Sequence, residues 1–372
     1  MYRIFIYLSI AIFLMSCQQD PQTIDPAILL QEAQAIIDEA QSISYTKHLI
    51  FDNASIGSSD TLSLSSEKFY RNEVSPIGYD FFAERDGHTS YLIGELAKDV
   101  NHQERRITSY TAEETKNDYK DPKYSMIVGN APFYQLNKEE WVYTTDTVFQ
   151  GRAARMYTFF DYESREDGVH YLRQARLFLH PETGQPFGHQ TYLTANAAPH
   201  QIITCWYEDY RTNREEPLTF ILPEGYTKMS SDEFEAGRAA GVLTVGEIAP
   251  DFSATTITGE EFTLSDYRGQ KVLLDFSFVG CGGCEMAMKE FNHPDFKLPD
   301  DMVGVYLSHL NTTAEIKKHF AKKGMPFLAI PKAEGPNEEY GVYVYPTFFV
   351  IDEQGVIELV ELGYDEGFGA TL

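Results

Sequence analysis

The stretch that decides the fold is Val272-Leu273-Leu274-Asp275-Phe276-Ser277-Phe278-Val279-Gly280-Cys281-Gly282-Gly283-Cys284-Glu285. From Val272 to Phe278 it is an apolar run broken only by Asp275 and Ser277, the pattern of a central strand covered on both faces. Gly280 then stops the strand and Glu285 to Phe291 reads as a helix, which puts a Cys-x-x-Cys pair at a strand-to-helix turn. At the start of a helix, residues i and i+3 project to the same side, close enough for a disulfide with little backbone rearrangement. The first sulfur lies over unpaired backbone N–H groups and the positive end of the helix dipole, which favour thiolate over thiol. Cys281 is therefore the candidate nucleophile and Cys284 the candidate resolving thiol. A zinc half-site is the structural rival, but a tetrahedron needs two more ligands; no second short-spaced pair exists, and His293, His309 and His319 are scattered. Neither a metal nor another cofactor is expected.

Two flanking segments extend this reading. Upstream, Val245-Gly246-Glu247-Ile248-Ala249-Pro250-Asp251-Phe252 leads into a strand-turn-strand with Thr258-Gly259-Glu260 at its tip. Downstream, Tyr345-Pro346-Thr347 opens the apolar run Phe348 to Ile351, and a proline is tolerated there only at a strand's start or edge. Together with the Cys pair, these segments resemble the thioredoxin-like fold, most closely the envelope-anchored TlpA and ResA group of thiol-disulfide oxidoreductases, from Val245 to about Gly363. The resemblance implies an α/β thioredoxin-like domain over 244–372 that acts on protein disulfides and thiols. It also implies a cis Pro346 beside Cys281, where a substrate strand pairs with Tyr345, Pro346 and Thr347. Asp275 coincides with a buried acid that exchanges protons with the resolving thiol, and desolvation in an apolar strand raises a carboxyl pKa as that role needs. Three features depart from the group. Gly280 stands where Trp is usual, so a flat apolar platform is missing; Gly282-Gly283 supplies no cation; and nine residues follow Gly363 where the group continues into a last covering helix.

The N-terminus carries its own signal. Ile4 to Met15 is apolar except for Ser9, follows a single side-chain cation at Arg3, and is too short for a spanning helix. Leu14-Met15-Ser16-Cys17 resembles the bacterial lipobox, which implies removal of residues 1–16, lipidation of Cys17, a tether over 17–25 and a lipid-anchored protein of the cell envelope. No other stretch approaches 18 uninterrupted apolar residues.

Between leader and Cys pair, residues 26–228 read as α+β. Asp25-Pro26 caps an amphipathic helix from about Ile28 to Ile37, and many short Tyr-, Phe-, Thr- and Val-rich runs follow. The clearest hairpin runs from Ala175 to His180, through Pro181-Glu182-Thr183-Gly184-Gln185-Pro186, to Phe187–Leu193. One leading helix on a long antiparallel meander resembles the LolA-like domain, an antiparallel half-barrel of envelope lipoproteins, and implies a pocket for a lipid or hydrophobic ligand. Phe81, Phe82, Tyr91, Tyr134 and Phe149 either line such a pocket or fill a sheet core. Cys205 lacks a cysteine partner nearby and reads as a buried inert thiol, and residues 229–243 read as a polar linker.

Composition narrows the functions. With 56 Asp plus Glu against 30 Lys plus Arg, the net charge is −26, and nucleic acid is excluded as a partner because a phosphate backbone needs clustered cations. Thr244 to Leu372 holds 21 acids and 9 bases, so neither part hides a basic module. A hydrophobic content of 43% excludes a disordered chain. Three readings follow: an envelope thiol-disulfide oxidoreductase working as a reductase, a peroxiredoxin-type peroxidase, or a lipid- or partner-binding lipoprotein whose thioredoxin-like domain is a docking module.

Overall fold

The computed structural model describes residues 24–54, 58–121, 125–138, 140–166, 168–324 and 326–372; the leader and Cys17 lie outside them. Helix α1 (Pro26–Glu39) starts where Asp25 Oδ1 accepts the Ala27 N–H at 2.8 Å and Pro26 occupies a first-turn position that needs no donor. Leu29, Ala33 and Ile37, four residues apart, form its buried stripe. At its far end the Arg71 guanidinium donates to the carbonyls of Ile37, Asp38 and Ala40 at 3.1, 2.8 and 3.1 Å, pairing groups that the last turn leaves open.

A meander follows: β1 (Ser42–Asn53), β2 (Ser58–Arg71), β3 (Tyr79–Arg85), β4 (His88–Ile93), β5 (Leu96–Asn101), β6 (Arg106–Ser109), β7 (Val142–Phe149), β8 (Arg152–Glu166), β9 (Val169–Leu179), β10 (Pro186–Ala195) and β11 (Ala198–Thr212). Short helices α2 (Ala112–Asp118) and α3 (Pro132–Leu136) interrupt it. With β12 (Thr227–Ser230) these strands make one large sheet ordered β12-β6-β5-β4-β3-β2-β1-β11-β10-β9-β8-β7, antiparallel except for β12 beside β6. Phe69, Phe81 and Phe133 centre its core, with ring centroids 6.0 and 5.1 Å from Phe69. In the β9–β10 turn, Gly184 has φ of 69°, and a Cβ there would stand 3.2 Å from the Leu29 carbonyl, so glycine lets the turn lie against α1. Of the aromatics read from sequence, Phe81, Tyr91 and Phe149 are buried, Phe149 stacking on Phe178 at 3.8 Å; Phe82 and Tyr134 are half-buried.

The stretch expected as a linker is structured. Thr227–Ser230 is the edge strand β12, and Ser231–Ala240 is a helix, α4. Its cause is a reciprocal capping box, with Glu233 N donating to Ser230 Oγ at 3.1 Å and Ser230 N to Glu233 Oε2 at 2.8 Å. Arg238 then carries α4 onto the C-terminal region, donating to the Tyr343 carbonyl at 3.2 Å and lying 4.3 Å from that ring's centroid.

Beyond it come a hairpin, β13 (Ser253–Thr255) and β14 (Glu261–Thr263), and five strands: β15 (Lys271–Phe276), β16 (Met302–Ser308), β17 (Leu328–Pro331), β18 (Thr347–Ile351) and β19 (Ile357–Leu362). They order as β17-β16-β15-β18-β19, with β15 to β17 parallel and β18 and β19 antiparallel. Helices α5 (Gly282–Phe291), α6 (Thr313–Lys323) and α7 (Glu334–Glu339) connect them. Strand alternation divides the core. Leu273 and Phe348 face Ala287, Met288 and Phe291 of α5, while Leu274 and Phe349 face Tyr340 and Val342 on the other side. Beyond Gly363, Phe368 of a 3-10 turn (Phe368–Thr371) stacks on Phe348 at 4.4 Å.

Candidate active site at the Cys281–Cys284 pair

Central strand β15 ends at Phe276, and the chain reverses through Gly280, whose φ of 94° only glycine adopts without strain. Cys281 then caps α5, its Sγ 3.2 Å from the Cys284 N–H, and the two sulfurs are bonded with Cα atoms 5.2 Å apart. Both cysteines are buried, and Cys281 Sγ lies 3.7 Å from the Tyr345 carbonyl oxygen. The Tyr345–Pro346 bond is cis. A Cβ on Gly283 would stand 3.1 Å from Pro346 Cδ, whereas one on Gly282 would meet nothing within 4 Å. Close approach of the proline loop thus accounts for one of the two intervening glycines.

Around that loop the structure assembles side chains that sequence reading had not grouped. The Tyr345 ring stacks on His309 at 4.8 Å and meets Phe278 edge-on at 5.3 Å, while its hydroxyl donates to Asn337 Oδ1 at 2.8 Å. An aromatic surface therefore stands beside the pair although Gly280 replaces the expected Trp. Its members come from the ends of β15, β16 and the approach to β18, so only the sheet order brings them together. Thr347 is fully buried and donates to the Val344 carbonyl at 2.7 Å, which shapes the loop.

Asp275 pairs in register with Tyr306 on one side and Phe348 on the other, with 2% of its surface exposed. Burial pushes its carboxyl up to about 7, and the hydrogen bond donated by Ser277 Oγ only tempers the effect. Glu285, next after Cys284, turns back over the site. Its Oε1 lies 3.0 Å from His319 Nε2 and its Oε2 4.0 Å from Lys323 Nζ, and its carboxylate also takes a hydrogen bond from the Gly280 N–H. Burial works to raise its pKa, but His319 and Lys323 together hold it below the usual carboxylate value.

Among the described residues no group of three or more His, Cys, Asp or Glu side chains is placed to hold a metal ion. His293 faces Asp295, His309 faces Tyr345 and His319 faces Glu285. Cys205 is a free thiol with no exposed surface, and burial pushes it up to about 12, which suppresses the reactive thiolate. The larger cavity of the N-terminal sheet, about 490 Å³, mixes Phe51, Tyr134 and Ile203 with Lys138, Asp161 and Arg173. An acyl chain seated there would take these charged groups out of water.

A Cys-x-x-Cys disulfide opening a helix, set against a cis-proline loop on a mixed five-stranded sheet, defines a thioredoxin-like oxidoreductase. Comparison with known proteins agrees: residues 245–360 match the model of the AhpC/TSA family. Thioredoxin-like protein YneN of Bacillus subtilis is 28% identical over 149 residues, 39% of this chain and 87% of that one. Thiol-disulfide oxidoreductase ResA of Geobacillus kaustophilus is 32% identical over 152 residues, 39% of this chain and 83% of that one. Peroxiredoxin-2 of Mus musculus is also similar, 31% identical over 141 residues, 33% of this chain and 71% of that one. Through its C-terminal region the chain belongs to the thioredoxin-like AhpC/TSA family, with relatives named as thiol-disulfide oxidoreductases, and it is an oxidoreductase.

Proposed function

We propose that this protein reduces protein disulfides in the bacterial cell envelope by cycling the Cys281/Cys284 pair between dithiol and disulfide. The Cys281 thiolate attacks one sulfur of a substrate disulfide, the substrate S–S bond breaks, and the departing sulfur takes up a proton. Cys284 then passes its proton to Asp275 and attacks Cys281 Sγ, so that the second substrate thiol leaves and the enzyme holds the disulfide. Two electrons move from enzyme to substrate, and an envelope dithiol donor restores the pair. The substrate strand pairs along Tyr345 and Pro346. The single observation that carries the reading is the bonded pair at the N-terminus of α5 with Cys281 Sγ facing the Tyr345 carbonyl.

Reduction rather than oxidation is favoured by charge. The helix terminus supports the Cys281 thiolate, but the Glu285 carboxylate, held over the Gly280 N–H, opposes it, so the dithiol is not strongly stabilised over the disulfide. The envelope location rests on the leader ending at Cys17, with membrane attachment through lipid; among the described residues no helix is long and apolar enough to cross a membrane. The test is acceleration of insulin-disulfide reduction by dithiothreitol: the wild-type protein accelerates it and Cys281→Ser does not, and equal rates for the two would refute the reading.

A peroxidase is the second reading, favoured by the family match and the similarity to peroxiredoxin-2. Against it, Asp275 to Gly280 contains neither the Thr nor the Pro that resemblance to those enzymes requires before the cysteine. Rapid peroxide consumption that survives Cys284→Ala would establish it instead.

A further inference from the structure

Two cavities share lining residues, and one of them reaches the turn before Cys281. The smaller, about 310 Å³, opens between the two sheets. One of its walls holds Gly280 from the turn before Cys281, with Glu285, Lys322 and Lys323; the other holds Leu193 and Gln201 of the β10–β11 hairpin. Leu193 and Gln201 also line the 490 Å³ cavity of the N-terminal sheet. The two spaces thus form a path from that sheet to the backbone preceding Cys281. Lys318 Nζ, donating to the Ala54 carbonyl at 3.3 Å, holds α6 against the end of β1 at this place.

Charge along the path runs opposite to that of the chain. Lys138, Arg173, Lys322 and Lys323 line it against two carboxylates, Asp161 and Glu285, although acids outnumber bases 56 to 30 overall. Asp161 pairs with Arg173, and Glu285 with His319 and, at 4.0 Å, Lys323, so the cations exceed the carboxylates by two once these pairs are made. The Lys138 ammonium is held below its ordinary value by burial, which the nearby Asp161 only partly offsets. The α6 segment Lys317-Lys318-His319-Phe320-Ala321-Lys322-Lys323 contributes the densest run of cations in the C-terminal region. An anionic occupant therefore gains here what it would lose against the rest of the surface.

Resting on the reductase reading, we propose that this path holds an acidic stretch of the substrate polypeptide and delivers the neighbouring disulfide to Cys281. The N-terminal sheet is then half of the substrate site. A polypeptide suits the path better than a small anion, because the cations are distributed over two adjoining cavities with different walls.

The test uses the pre-reduced full-length protein in single turnover with two synthetic peptides, each carrying one cysteine disulfide-bonded to 2-thiopyridine, flanked by glutamates in one and lysines in the other. The rate constant for release of pyridine-2-thione is expected to favour the glutamate peptide by about tenfold at low salt, and the preference shrinks as salt rises. In Lys322→Glu/Lys323→Glu, at two exposed positions of α6, the ratio of the two rates falls towards one or inverts while the circular dichroism spectrum stays that of the wild type. Equal rates in the wild type, or a preference unchanged by the double substitution, would overturn the proposal while leaving the oxidoreductase reading intact. Failure to react with either peptide would sink that reading and this one with it.

Discussion

Cys281 Sγ and the carbonyl oxygen of Tyr345 lie 3.7 Å apart, although 64 residues separate them in the chain. Strand β15 delivers the first and the loop entering β18 the second, and the two strands are hydrogen-bonded neighbours. On the proposed reading, a substrate sulfur reaching Cys281 passes the Tyr345–Pro346 backbone. This predicts that reduced Cys284→Ala, which cannot resolve, accumulates a mixed disulfide through Cys281 with disulfide-bearing envelope proteins, and that Cys281→Ala/Cys284→Ala accumulates none. Intact-mass analysis of the purified variants shows which occurs; adducts equally abundant on both would place the reactive sulfur elsewhere.

Asp275 gives a pH signature with a definite sign. Its carboxyl is pushed up to about 7 in the folded protein by burial, against about 3.9 in an unfolded chain. Between those values the folded state holds a proton that the unfolded state has released. The contribution of Asp275 to stability is therefore greatest below about pH 4, falls as pH rises towards 7 and then levels, by about 4 kcal/mol in all. Urea unfolding of the disulfide form between pH 4 and 8 should show this decline, and Asp275→Asn should remove most of it. The same substitution should slow release of the trapped substrate by Cys284 near neutral pH. A pH slope common to both proteins would mean that Asp275 does not titrate as its burial requires.

The two glycines between the cysteines should answer differently to substitution. Neither has a positive φ, and a Cβ on Gly282 meets nothing within 4 Å, so Gly282→Ala should stabilise by about 0.5–1 kcal/mol through the unfolded chain. Gly283→Ala places its methyl 3.1 Å from Pro346 Cδ and should gain less or lose, while slowing disulfide reduction. Thermal midpoints and insulin-reduction rates, compared side by side, decide it; indistinguishable variants would remove the close approach as the reason for Gly283.

Removing the charge at Glu285 should move the couple towards oxidation. In Glu285→Gln the carboxylate that lies over the Gly280 N–H is lost, the Cys281 thiolate gains, and the reduction potential should rise by about 10–30 mV with a lower Cys281 pKa. Thiolate absorbance at 240 nm against pH reports the second effect. An unchanged pKa would show that Glu285 only braces His319.

Features carried by adjacent residues were legible in the sequence. The apolar strand with its acid, the Cys pair at a helix start, the proline before a strand and the Pro-Glu-Thr-Gly hairpin are each local patterns. The segment Ser230-Ser231-Asp232-Glu233 is equally local, but the polar, small residues around its capping box give the stretch the composition of a linker. What stayed hidden is non-local. Phe278, His309 and Tyr345 meet only once β16, β15 and β18 are ordered, Glu285 and His319 come from different helices, and the charged cavity draws on segments far apart in the chain. The texture of the N-terminal region suggested an apolar ligand space, and only the folded arrangement shows Lys138, Asp161 and Arg173 facing into it.

The central claim, reduction through Cys281 and Cys284, is tested most directly by the reduction potential of that pair, measured by equilibrating the protein with graded mixtures of reduced and oxidised dithiothreitol. A midpoint below about −200 mV, in the range of the glutaredoxins and thioredoxin, is the predicted result. A midpoint near about −120 mV, that of a strong periplasmic oxidant, would contradict it.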